Sequence, residues 1–346
     1  MSPASGGGHF NIEWSSLMLK KINKKALLII DVVVLVLLAA VVWYTQREKA
    51  EVPDTRDDVD SYYARFIEHD GTVYPVKRGL QSVLLIGKDA MEGRREKSEI
   101  EAFYNDDLAD FLLLMVFDHD RKTVTPFQIN RDTMCDVPWL SVNGLVGGYY
   151  PMQITMAHGF GSGKQDSSKN VVNAVTGLLY GAPVDHYFTF TMDTVPILND
   201  LVGGVPVTLE EDLPALGEKY VKGATITLRG REALSFVRTR DHDRVDANVA
   251  RMGRQRLYMN SFLNQARGKI ENNPEFLVDA FDKVESFLIT DLTVENVSEY
   301  VDDFYHYEVL PIVTPTGTYT LSELSTAEFY PDEASLWDCV HSTFCP

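Results

Sequence analysis

A nineteen-residue apolar run, ALLIIDVVVLVLLAAVVWY at 26–44, broken only by Asp31, constrains this chain before anything else. At about 1.5 Å of helix rise per residue it spans roughly the 30 Å hydrocarbon core of a bilayer. Lys20, Lys21, Lys24 and Lys25 precede it and put that side in the cytoplasm by the positive-inside rule, while Trp43 and Tyr44 suit the far interface. No small-residue cleavage pattern follows in TQREKAEV, so an uncleaved anchor is expected instead of a signal peptide. Asp31 lies near the cytoplasmic end, where snorkelling lowers its cost. The expected order is a cytoplasmic stub (1–25), an anchor (26–44), a juxtamembrane stalk (45–80) and a large extracytoplasmic remainder at the cell membrane.

That remainder can bury a sizeable core, since 45% of the 346 residues are hydrophobic. Fifty acidic residues against 32 basic ones, a formal net charge of -18, exclude a general affinity for nucleic acid. The stretch RTRDHDRVDANVARMGRQR (238–256) then stands out, with six arginines in nineteen residues. Three cysteines make no disulfide framework, although Cys339 and Cys345 are close enough in sequence to close a small loop. No zinc spacing, phosphate-loop signature or serine elbow is present.

SVLLIGKD (82–89) reads as a buried strand that delivers Asp89 at its end; FLLLMVFD (111–118) and TVTPFQI (123–129) read as two more, and DHYFTFTMD (185–193) alternates as a strand should. NVVNAVTGLLYG (170–181), DTVPILNDLVGG (193–204), GREALSFVRTR (230–240) and residues 246–267 carry helical periodicity. Strands interleaved with helices imply an α/β fold, a central mixed sheet with helices packed on its faces, over 81–265. Residues 266–346 read as a helical extension packed on or beside that core, with YTLSELSTAEFYPDEASLWDCVH a strand-poor tail ending in a helix.

Asp246 has N-cap chemistry for the last of those helices, and Asn248, Arg251 and Gln255 then share one helical face. Val249, Met252, Met259 and Leu263 form a neighbouring stripe suited to the core. Arg238 and Arg240, two apart in what reads as extended backbone, point to one side and can ring a pocket with Arg251. Clustered guanidinium groups suit a phosphate. For Arg244 and Arg256, pairing with nearby carboxylates is the simpler reading, and Asp106 and Asp107 read as a solvated acidic patch. Asp89, Asp110, Arg131 and Asp132 lie at strand ends, where ligands of α/β sheets collect, and paired carboxylates suit a hard cation such as Mg²⁺.

The anchor, LLIGKD, a LAD segment, NRDT and the R-x-R…N-x-x-R helix, in this order, resemble the LytR–CpsA–Psr family of bacterial cell-envelope proteins, over roughly 82–265. QITMAHGFGSG (153–163), VDHYFTFTMD (184–193) and NDLVGGVPV (199–207) are also similar to family segments. The resemblance implies an extracytoplasmic phosphotransferase of Gram-positive bacteria. Such an enzyme moves a glycopolymer, a teichoic acid or capsular polysaccharide for example, from a polyprenyl-pyrophosphate carrier to peptidoglycan.

It further implies Mg²⁺ (or Mn²⁺) on Asp89 and Asp110, phosphate contact by Arg131 with Asp132 orienting its neighbours, and pyrophosphate binding by Arg238, Arg240 and Arg251 completed by Gln255, with Asp246 or Asn248 near the helix start. Three positions depart from the family pattern as resembled: Leu108 where Arg is frequent, Asn130 where Pro is more frequent, and Asn248 where Asp is common. The same anion site would also serve a polyprenyl-pyrophosphate hydrolase, or a non-catalytic envelope protein that binds lipid-linked polymer. A stub of twenty-five residues is too short for a DNA-binding domain.

Overall fold

Alternating apolar residues on three adjacent strands divide this fold into two cores. A computed structural model describes residues 65–89, 105, 107–141, 144–239, 247–273, 276, 280, 283–292, 300, 303, 306–323 and 326–346. The apolar run at 26–44, Arg240, Arg244, Asp246 and Asp106 lie outside these residues. Among the described residues no helix is long and apolar enough to cross a membrane.

Strands β3 (Leu80–Asp89), β4 (Leu108–Asp118) and β5 (Thr123–Ile129) pair antiparallel at the centre of the sheet. Strand β8 (His186–Thr191) joins β3 in parallel, and β11 (Leu288–Thr290) and β12 (Glu308–Val309) close the two edges. The sheet of order β11-β8-β3-β4-β5-β12 is therefore mixed, as expected, while β6 (Met134–Leu140) with β7 (Val146–Gln153) and β9 (Val205–Thr208) with β10 (Thr225–Leu228) form separate two-stranded sheets. Successive strand side chains point to opposite faces. Leu84, Ile86, Leu112, Leu114 and Val116 accordingly enter one core with α1 (Gln165–Leu178) and α5 (Glu333–Phe344), while Val83, Leu85, Leu113, Met115 and Phe117 enter the other. Three helices, α2 (Thr194–Leu201), α3 (Arg231–Arg238) and α4 (Ala247–Asn272), build a further apolar cluster that meets this second face through Met259 and Leu288.

Two expectations about the ends of the domain are corrected. Residues from 66 onward do not belong to a stalk: β1 (Phe66–His69) and β2 (Thr72–Pro75) form a hairpin whose Ile67 is fully buried in the first core. The segment 266–346 is not a helical appendage, because it supplies both edge strands of the sheet, helix α5, and a hairpin of β13 (Gly317–Leu321) and β14 (Ala327–Pro331). As edge strands of three and two residues, β11 and β12 leave little free ladder for another chain to pair with. Cys135, Cys339 and Cys345 are all free. Cys339 lies on α5 and Cys345 is the residue that caps it, and both pack against the first core.

Candidate functional site

Strand directions bring the chemistry to one edge of the sheet. The C-terminal ends of β3, β5 and β8 and the N-terminal end of β4 lie together, because β3 and β8 run parallel while β4 opposes both β3 and β5. Asp89 ends β3, and Arg131 and Asp132 follow β5. Asp110 occupies an irregularity: the β3–β4 register shifts between Gly87 and Lys88, so that Phe111 faces Gly87 and Ala109 faces Lys88, with Asp110 between them. Bulges of this kind re-aim a side chain.

Around that edge the charges pair. Arg131 Nη1 contacts Asp110 Oδ1, and its Nε lies 3.3 Å from Asp132 Oδ1. Arg251, on α4 and only 2% exposed, places Nη1 3.9 Å from Asp110 Oδ2. Arg238, the last residue of α3, donates from Nη2 to Asp89 Oδ2 at 2.6 Å. Three of the expected arginines therefore meet the three expected carboxylates. Asp89 and Asp110, two carboxylates at one edge of the sheet, are the donor chemistry that a hard cation takes.

Asn248, Arg251 and Gln255 do share a face, which turns inward: they are 2%, 2% and 6% exposed. Arg251 Nη2 donates to Asn248 Oδ1, and Asn248 Nδ2 donates to Asn130 Oδ1 at 2.5 Å. Two of the three departures noted in the sequence thus touch each other. Gln255 Nε2 donates to Val237 O at 3.3 Å, which ties α4 to the residue before Arg238.

Four expectations change. Arg238 is helical, not extended, because α3 ends on it and the backbone becomes extended only at Thr239. Val249 is 47% exposed and off the core stripe. Among the described residues Arg256 donates to the neutral Gln128 Oε1, at 3.0 Å. Asp107 is no solvated group: its Oδ2 accepts from Lys88 Nζ at 3.0 Å, and Lys88, 7% exposed, also donates to Gly163 O.

Sequence reasoning missed Lys88, Asn130 and Tyr319. Lys88 is adjacent to Asp89 and was legible as a cation at the strand end. Tyr319 lies on β13, far along the chain, and meets Asn130 only through the fold. His158 is buried, with Nδ1 3.1 Å from Asp107 O. Burial, with Lys88 nearby, lowers its pKa to about 4.

An apolar cavity abuts the charged edge. It lies between the second face of the sheet and helices α2 and α4, lined by Leu85, Phe111, Phe190, Leu198, Met259 and Phe262. Val237 and Gln255 also line it, and these two are the residue before Arg238 and the residue one helical turn beyond Arg251.

The LytR_cpsA_psr family model matches residues 43–334. The chain belongs to the LytR–CpsA–Psr family. It is 30% identical over 237 residues to the cell wall biosynthesis protein LcpA of Corynebacterium glutamicum, an alignment that covers 62% of this chain and 45% of LcpA. It is 26% identical over 223 residues to the polyisoprenyl-teichoic acid–peptidoglycan teichoic acid transferase TagU of Bacillus subtilis, covering 64% of this chain and 63% of TagU. The match thus spans less than two thirds of either relative's length. Among solved structures, TagT bound to LI-WTA superposes with a TM-score of 0.54 at 20% identity, over 77% of this chain and 90% of TagT. TagV of B. subtilis superposes with a TM-score of 0.53 at 21% identity, over 77% and 96%. These likenesses show the same fold.

Proposed function

We propose that this family member is a membrane-anchored, extracytoplasmic phosphotransferase that moves a cell-wall glycopolymer from a polyprenyl-pyrophosphate carrier to peptidoglycan. The observation that carries this reading is the nearness of an apolar cavity to the arginine cluster, because Val237 and Gln255, which line the cavity, are neighbours of Arg238 and Arg251. A ligand that fits both is a lipid with an anionic head. The names of the relatives TagU and LcpA support the cell-wall setting.

The chain's residues divide the work by charge. Arg131, Arg238 and Arg251 exchange their carboxylate partners for pyrophosphate oxygens, which guanidinium groups bind in bidentate geometry. Arg240 and Asp246 are assigned to the same surface from the sequence. A hydroxyl oxygen of peptidoglycan attacks the phosphorus nearer the sugar, the bond from that phosphorus to the bridging oxygen breaks, and polyprenyl phosphate leaves. Asp110 and Asp132, both beside Arg131, are the carboxylates able to take the hydroxyl proton. Mg²⁺ or Mn²⁺, held by Asp89 and Asp110, would draw charge from the phosphoryl oxygens. Catalysis then consists of positioning and electrostatic stabilisation.

The reading is tested by binding. The full chain in detergent should bind farnesyl pyrophosphate saturably and farnesol far more weakly, and Leu198→Trp, which fills the cavity, should abolish the lipid-dependent part. Equal binding of both ligands, or none of either, would remove the basis for the assignment.

A further inference from the structure

The hairpin of β13 and β14 is fastened to the loop that carries Arg131. Phe329 N donates to Asp132 O at 2.8 Å, Thr133 and Phe329 form a parallel bridge, and Gln153 Nε2 donates to Ala327 O. Gly317 lets the two strands of the hairpin approach closely, since a Cβ there would fall 2.3 Å from Tyr330 O. Tyr319 projects from the hairpin, its ring 5.0 Å from that of Phe329, and its hydroxyl meets Asn130 Nδ2.

Two amides are held in one orientation at that contact. Asn130 Oδ1 accepts from Asp132 N at 3.0 Å and from Asn248 Nδ2 at 2.5 Å. With the Asn130 amide reversed, its NH₂ would face two donors. The backbone donor Asp132 N therefore sets the sense of the amide, and the Tyr319 hydroxyl, as acceptor, engages the Nδ2 that results and holds it in place. Asn248 is then fixed in turn: its NH₂ faces Asn130, so its Oδ1 faces Arg251 Nη2. Asn130, Asn248 and Arg251 are 7%, 2% and 2% exposed, so water competes little for these bonds.

We propose that Tyr319 is a positioning residue for Arg251, acting from the C-terminal hairpin through the Asn130 and Asn248 amides. The consequence is that the C-terminal segment belongs to the functional site. A guanidinium held in one orientation loses less entropy on meeting an anion. This inference rests on the proposed function for what Arg251 binds, but the orientation of Arg251 is a property of the protein without ligand.

The test therefore has one arm that needs no substrate. In the ¹⁵N-labelled full chain, Tyr319→Phe should shift or broaden the Arg251 Nε–H resonance and leave that of Arg254, which is held by Glu211 and Thr239, in place. An unmoved Arg251 resonance at unchanged thermal stability overturns the proposal, whatever the protein binds. In the second arm, Tyr319→Phe should weaken farnesyl pyrophosphate binding roughly 5- to 10-fold, the worth of one hydrogen bond. In an Asn248→Ala background the same substitution should have no further effect, because the relay is already cut. Additive losses would mean that Tyr319 acts independently of the relay and would overturn the proposal. A parent chain that binds no farnesyl pyrophosphate refutes the proposed function, and the resonance of Arg251 then decides the positioning claim alone.

Discussion

Replacing Arg251 with methionine keeps most of the side-chain volume and removes one cation from a buried group of four charges. Arg131, Arg251, Asp110 and Asp132 balance as two positive and two negative, and all four are at most 7% exposed. The variant leaves a net negative charge in that group. At the observed 3.9 Å between Arg251 Nη1 and Asp110 Oδ2, an effective dielectric of about 20 gives an interaction of about 4 kcal/mol. That falls within the ~3–5 kcal/mol typical of breaking a buried ion pair by removing one partner. For a domain of this size the thermal midpoint should fall by roughly 8–16 °C. Differential scanning calorimetry of the full chain at neutral pH would read the shift. The double variant Arg251→Met/Asp110→Asn should recover much of it, since Arg131 and Asp132 then balance alone. A midpoint for Arg251→Met within about 2 °C of the parent would show that Arg251 is not a counter-charge in the fold, and the charge bookkeeping of the site would be wrong.

Acid should destabilise the protein through His158. Its pKa is depressed from 6.5 to about 4, so the unfolded chain binds the extra proton first, and stability present above about pH 6.5 is lost as pH falls towards 4, on the order of 3 kcal/mol in full. Urea unfolding of His158→Gln across that range should show a flatter profile than the parent, and an identical profile would acquit His158. Asp89→Asn and Asp110→Asn should each remove the dependence of farnesyl pyrophosphate binding on added Mg²⁺; retained dependence in both, by isothermal titration, would place the cation elsewhere. Lys88→Met should lower the thermal midpoint, because Asp107 and Gly163 O both lose their donor, and a midpoint unchanged in that variant would contradict the buried pairing.

How far the sequence reached follows from which signals are local. LLIG, FLLLMVF and TPFQI are apolar runs that end in turn residues or charge, and all three proved to be the central strands β3, β4 and β5. The helical spacing of Asn248, Arg251 and Gln255 was legible because 3.6-residue periodicity is written in the sequence. What it could not say was that this face turns inward and that Arg251 meets Asp110, a pairing between residues far apart in the chain. The edge strands β11 and β12 have three and two residues, too few for a period to register. The hairpin of β13 and β14 is mostly exposed or half-buried, so it lacks the alternation that marks a strand, and Tyr319 matters only through its neighbour in space. Asp107 looked solvated because its partner Lys88 lies on another strand.

Transfer itself is the most direct test of the account. The full chain in detergent would be incubated with Mg²⁺, a labelled polyprenyl-pyrophosphate glycan and peptidoglycan oligomers. The account predicts label on peptidoglycan, lost with chelator and with Arg131→Ala. Label released only as free glycan phosphate, or carrier bound without turnover, would contradict it.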